Sequence, residues 1–268
     1  MQNEEFSEFS YGFVLTAELI KRFDKRMSAA PVFPSLREEG KTGGGYDVKL
    51  PGVPMFLQFK LSDRMKRKSA QELQTTPSPL KIEFYRMHLR PRKKSKQHSL
   101  LLELESAGNL VFYAAPGFFE AKELDLAYSN QQVINRSVFI RPTSIGPLKD
   151  DLSHHVSFQN AASKKGYFFS DSENPPAVEI TRGADLHEAV RPILETAGIN
   201  SLSTKRFANI ESSMAVAIKE AYADTEFLPH RAVFTEPNVS NVIQRVAYLS
   251  QVFFDSTLFI VQRKKQIA

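Results

Sequence analysis

The chain contains no cysteine, which excludes disulfides and thiolate metal sites and is consistent with a reducing compartment. No apolar run approaches the length that a bilayer-spanning helix needs. The N-terminus is acidic and its apolar residues are interrupted, so no secretory leader is expected. These absences point to a cytoplasmic protein of bacterial type with no membrane partner. Also missing are an internal repeat, a P-loop, a dinucleotide fingerprint and a GxSxG elbow. What is present is a chain of 268 residues, 42% hydrophobic, enough for a substantial core in one large domain or two small ones. With 35 Lys+Arg against 30 Asp+Glu, the net charge is +5 and the pI about 9.2, a mild bias toward polyanionic partners.

The most informative stretch runs from Gly43 to Lys60. Tyr46 to Leu50 and Met55 to Leu61 have strand composition, while Pro51, Gly52 and Pro54 supply turn chemistry between them. This predicts a β-hairpin. Pairing Leu50 with Met55 sets Lys49 against Phe56, Val48 against Leu57 and Asp47 against Gln58, with Lys60 on the same face as Gln58. The glycines Gly43, Gly44 and Gly45 leave the approach to Asp47 clear. Taken alone, these are ordinary polar positions on a solvated hairpin face. Taken together, an acid, an amide and an ammonium suit metal-dependent phosphodiester cleavage. Asp47, the Gln58 amide oxygen and a backbone carbonyl such as that of Phe59 would hold Mg²⁺, a hard ion that takes oxygen ligands. Lys60 would polarise water or neutralise developing charge.

Asp47 followed, after ten residues, by Gln58-Phe59-Lys60 resembles the core of the PD-(D/E)XK nuclease superfamily, and the glycine run with a Gln-x-Lys ending is similar to its Mrr-like branch. Most members carry an acid where this chain has Gln58; Gln is an accepted variant in that branch. The resemblance covers roughly residues 8 to 140. It implies an α/β fold, a restriction-endonuclease-like mixed sheet flanked by helices over 1–140, followed by a mainly helical part over 141–268. It implies a Mg²⁺-dependent endonuclease acting on DNA, double-stranded in the simplest case, in bacterial defence or repair, and acting as a homodimer or within a larger assembly. It also implies that the first helix brings an acid to the site, a role for which Glu18 is the candidate. The competing reading is a catalytically inactive nuclease-fold subunit that binds nucleic acid or a partner protein.

The flanking sequence fits that order. Apolar positions from Tyr11 to Met27 recur at helical spacing. A basic run follows the hairpin: Arg64, Lys66, Arg67 and Lys68, then Arg86, Arg90, Arg92, Lys93, Lys94 and Lys96, suited to neutralising backbone phosphates without reading sequence. Between these groups, Ile82 to Leu89 reads as a strand. Gln97 to Ala107 reads as a helix ended by Gly108, with Gln97 and His98 at its start as further candidates to face the site. Leu110 to Pro116 reads as a strand buried on both faces, and Val133 to Arg141 as another. His154-His155 beside Asp150-Asp151 invites a metal reading, but adjacent strand residues point to opposite faces and do not share one ion easily. Ser163 to Ala177 reads as an exposed loop. Helical stripes near 185–197, 207–223 and 239–254 follow, and Leu258 to Val261 reads as a closing strand.

Overall fold

A computed structural model describes residues 5–23, 53–74, 78–170, 175–196, 204–223 and 242–261. Seven α-helices and ten strands are described, with the strands in two five-stranded sheets, one mixed and one antiparallel. The chain is therefore α/β.

The mixed sheet is built on β1 (Val53–Phe59) and β4 (Leu110–Pro116), which run parallel, linked through α2 (Gln97–Ser106). All seven residues of β4 are buried, as its unbroken apolar run requires of a strand covered on both faces. Gly108, at φ +86°, ends the excursion of α2 in the left-handed region that glycine enters without steric cost. On the far side of β4 lie β5 (Ser137–Ile140) and β9 (Thr181–Arg182). On the other side, β1 pairs antiparallel with β10 (Thr257–Val261), a strand from the far end of the chain.

That last pairing corrects the expected hairpin. Tyr46 to Leu50, including Asp47, lie outside the described residues. Over Met55 to Leu57, both edges of β1 are already taken, by Thr257 to Phe259 and by Leu110 to Phe112. The register of Lys49 with Phe56 and Val48 with Leu57 has no free edge to use.

Two apolar layers sandwich this sheet. On one face, Met55, Leu57, Phe112, Ala114 and Phe259 pack under α1 (Glu8–Phe23), α3 (Ala121–Ser129) and α5 (Leu186–Thr196). Helix α1 sits close to β1 because Gly12 faces the Phe59 ring: an added Cβ would lie 2.6 Å from a ring carbon. On the other face, Phe56, Val111, Tyr113 and Ile260 pack against α2, α6 (Thr204–Ala221) and α7 (Val242–Phe254).

The antiparallel sheet comprises β2 (Asp63–Met65), β3 (Phe84–Leu89), β6 (His154–Phe158), β7 (Lys165–Phe169) and β8 (Ala177–Glu179). Its inner side chains Met87, Leu89, Val156 and Phe158 join the second core layer. Strand β7 lies within the stretch expected to be an exposed loop; Phe169, which pairs across from His155, is buried in a small outer cluster with Leu80 and Phe84. As strand alternation requires, His154 and His155 diverge. His154 stacks on Phe168 at 5.3 Å, and His155 on Phe169 at 5.3 Å across the sheet. The short helix α4 (Pro142–Ile145) closes the list of helices.

Candidate functional site

At the C-terminal end of β1, Gln58 and Lys60 follow Phe56 onto the face covered by α2. The Lys60 backbone N–H donates to Ala114 O at 2.9 Å, carrying the parallel ladder one residue past the strand. Both side chains are almost fully buried, at 1% and 4% exposure. Buried polar groups need partners, and they find them on two distant elements. Lys60 Nζ donates to Gln97 Oε1 at 3.0 Å, at the first turn of α2. Gln97 Nε2 in turn donates to Asp255 Oδ2 at 2.8 Å. Gln58 Nε2 is shared between its neighbour's carbonyl, Phe59 O at 2.8 Å, and Asp255 Oδ2 at 3.3 Å.

Asp255 occupies the tight connection between α7 and β10, with φ +48°. Aspartate tolerates this left-handed conformation better than most residues. The connection is closed by the Ser256 N–H donating to Ser250 O at 2.9 Å. Asp255 is half-exposed and lies 3.8 Å from an Arg90 guanidinium nitrogen. The site is therefore closed around Lys60 and open to solvent at Asp255 and Arg90.

Burial holds the Lys60 ammonium below the usual lysine range; Arg90 pushes the same way, while Glu8 and Asp255 act against it. Glu18 is the residue the sequence offered, but its carboxylate accepts the Val133 N–H at 2.7 Å and the Ile134 N–H at 3.3 Å. There it anchors α1 to the segment before β5 and takes no part in the site.

The other candidates divide. Arg64 is turned inward, its guanidinium paired with Glu120 and Glu123 of the α3 region, so it presents no charge to a phosphate. Lys66, Arg67 and Lys68 are exposed, as are Arg90, Arg92, Lys93 and Lys94; Arg92 contacts Asp151 at 3.1 Å. His98 is structural. Its Nδ1 meets Tyr113 Oη at 2.8 Å and its Nε2 meets Gly146 O at 2.8 Å, so a protonated Nε2 donates to the carbonyl and Nδ1 accepts the phenol. Asp47 lies outside the described residues.

A hard divalent cation needs oxygen donors. Gln58 Oε1 is buried and has no hydrogen-bond partner, while the Nε2 end of the same amide is the one that meets the Asp255 carboxylate. Asp255 is the described carboxylate here that a hard ion could use, since Mg²⁺ characteristically takes one or two carboxylates and fills its remaining positions with water and substrate phosphate. Phe59 O is less available because it accepts the Gln58 amide. Among the described residues, no three His, Asp or Glu side chains close on a single point.

The sequence reading missed Asp255. Asp255 stands between an apolar helical stripe and the final apolar run Leu258 to Val261; its only signal is an acid placed immediately before a strand that belongs in the sheet. No described helix is long and apolar enough to cross a membrane. No protein-family model matches the chain, and neither a curated protein nor a solved structure matches it.

Proposed function

We propose that the chain is a metal-dependent DNA endonuclease of the restriction-endonuclease-like type, with its catalytic centre at the end of β1. The observation that carries this reading is a buried lysine tied through Gln97 to a solvent-facing carboxylate, beside a buried amide oxygen that has no partner of its own. Desolvating a lysine is costly, and a site that keeps one beside an acid and an open face has the makings of a reaction centre.

In this reading Asp255 would hold Mg²⁺, supplying the charge that the sequence motif assigned to Asp47, with the Gln58 amide turned so that its oxygen and not Nε2 would face the ion. Bound there, the ion would polarise the phosphoryl oxygens and lower the pKa of water. Lys60 directs an N–H toward the attacking water or the developing negative charge while Gln97 fixes its position. Arg90 pairs with the phosphate as it leaves Asp255, and Lys93 and Lys94 hold the flanking backbone. Water oxygen attacks phosphorus, the bond to the 3′ oxygen breaks, and that oxygen takes up a proton; the products are a 5′-phosphate and a 3′-hydroxyl. Bacterial defence or repair is the natural setting, with a homodimer cutting both strands.

One observation favours a second reading, a non-cleaving subunit that binds nucleic acid or a partner protein. Asp255 Oδ2 is already approached by Gln58, Gln97 and Arg90, and Gln58 is neutral where most such sites have a second acid. Plasmid cleavage in Mg²⁺ or Mn²⁺ separates the two. The nuclease reading expects cutting that Lys60→Ala abolishes while retention of DNA on a gel persists; DNA retention without any cutting by the wild type supports the subunit.

A further inference from the structure

The outer face of the antiparallel sheet carries two histidines that the β1 site does not use. His88 in β3 and His155 in β6 oppose each other directly across the antiparallel pair, so both leave the same face. Their ring centres are 5.8 Å apart. Each has a carboxylate at Nε2: Asp63 Oδ2 at 3.0 Å from His88, and Glu72 Oε1 at 3.0 Å from His155. Glu72 is itself fixed, receiving Arg86 Nε at 2.7 Å, Arg86 Nη2 at 2.6 Å and Ser157 Oγ at 2.8 Å. The Asp63 hydrogen bond keeps the proton of His88 at Nε2 and leaves its Nδ1 lone pair for something else, while Glu72 approaches His155 Nε2 at ion-pair distance without hydrogen-bond geometry. Among the described residues, no hydrogen bond engages Nδ1 of either ring. His88 is half-exposed, so the pair opens to solvent.

We propose that His88 and His155 bind one borderline divalent ion of the zinc class through Nδ1, with Asp63 and Glu72 as the carboxylates behind the ligands. The spacing fits. With Zn–N bonds of about 2.0–2.1 Å, two imidazoles sharing a tetrahedral ion have ring centres roughly 5–6 Å apart. Two carboxylates, Asp63 and Glu72, stand beside the rings. Imidazole selects zinc, nickel or copper over magnesium, and a carboxylate on the far nitrogen orients a metal-binding histidine and raises its basicity. Two protein ligands leave the remaining positions to water or an external ligand. The site is separate from the oxygen-donor centre at Asp255 and does not depend on the nuclease reading.

The test is calorimetric titration of metal-free protein with Zn²⁺, without Mg²⁺. The wild type is expected to bind one ion at this site. His88→Ala, a change at a half-exposed side chain, should weaken binding by more than about tenfold, and Asp63→Asn, which keeps both imidazoles, by about tenfold. Asp255→Asn and Lys60→Ala should leave this binding unchanged. In proton spectra, the His88 and His155 ring signals should shift on adding zinc while those of His98 and His187 stay in place. Absence of binding by the wild type at about 100 μM free zinc, affinity unchanged in His88→Ala, or unmoved His88 and His155 signals would overturn the site.

Discussion

Gln97 donates from Nε2 to Asp255 Oδ2 over 2.8 Å, although 158 positions separate the two residues in the chain. The same amide accepts Lys60 Nζ through its oxygen, so one side chain on α2 couples the lysine of β1 to the acid that precedes β10. The catalytic account rests on this coupling.

Gln97→Ala should therefore weaken cleavage by roughly 10- to 100-fold, the range seen when groups that position a reacting residue are removed. A conservative Gln97→Glu keeps an acceptor for Lys60 but loses the donor to Asp255, and should recover only part of the rate. Single-turnover cleavage rates check both; unchanged rates in Gln97→Ala would remove Gln97 from the account.

Lys60→Met should abolish cleavage yet leave stability within about 1 kcal/mol of wild type or raise it, because an apolar side chain of similar size replaces a buried charge. The sign follows from the lowered pKa. Below its folded value Lys60 is a charge held out of water; as pH rises from that value toward the usual 10.5, the unfolded chain binds the extra proton and stability increases. Lys60→Met should lack that rise in urea denaturation measured across alkaline pH.

Glu72→Gln should destabilise the fold by about 3–5 kcal/mol, since it leaves the part-buried Arg86 guanidinium without its bidentate acid. Bonds from His155 and Arg86 hold the Glu72 carboxyl well below the usual carboxylate range even though burial opposes them. Its stabilisation is present above the unfolded value near 4.5 and is lost as pH falls below that toward the folded one. Denaturation midpoints at pH 7 and pH 3 check this: the gap between wild type and mutant should narrow at the lower pH.

The basic residues should separate by role. Lys93→Ala with Lys94→Ala should reduce the slope of log K against log salt for duplex binding by about 1.8, at roughly 0.9 per phosphate contact. Arg64→Ala should leave that slope unchanged and lower the melting temperature, because Arg64 pairs with Glu120 and Glu123 within the protein.

Much of the fold was legible where the cause is local. The apolar run of β4, the helix stop at Gly108 and the divergence of His154 from His155 all follow from periodicity or backbone sterics in a few residues. The hairpin misled because Pro51, Gly52 and Pro54 give a strong short-range turn signal, whereas the strand that occupies that edge of β1 is Thr257 to Val261, and nothing near residue 58 announces it. Glu18 was misread because its true partners, the Val133 and Ile134 N–H groups, lie more than a hundred positions away along the chain. Lys60 and Gln58 were readable as a pair from strand alternation. Their acid was not, because Gln58 and Asp255 are 197 positions apart.

The most direct measurement is metal-dependent cleavage of supercoiled and linear DNA by wild type, Asp255→Asn and Asp47→Asn side by side. The account predicts cutting by the wild type in Mg²⁺ or Mn²⁺ and its loss in Asp255→Asn, with DNA binding retained. Full cutting by Asp255→Asn, or loss confined to Asp47→Asn, would contradict a centre built on the acid before β10.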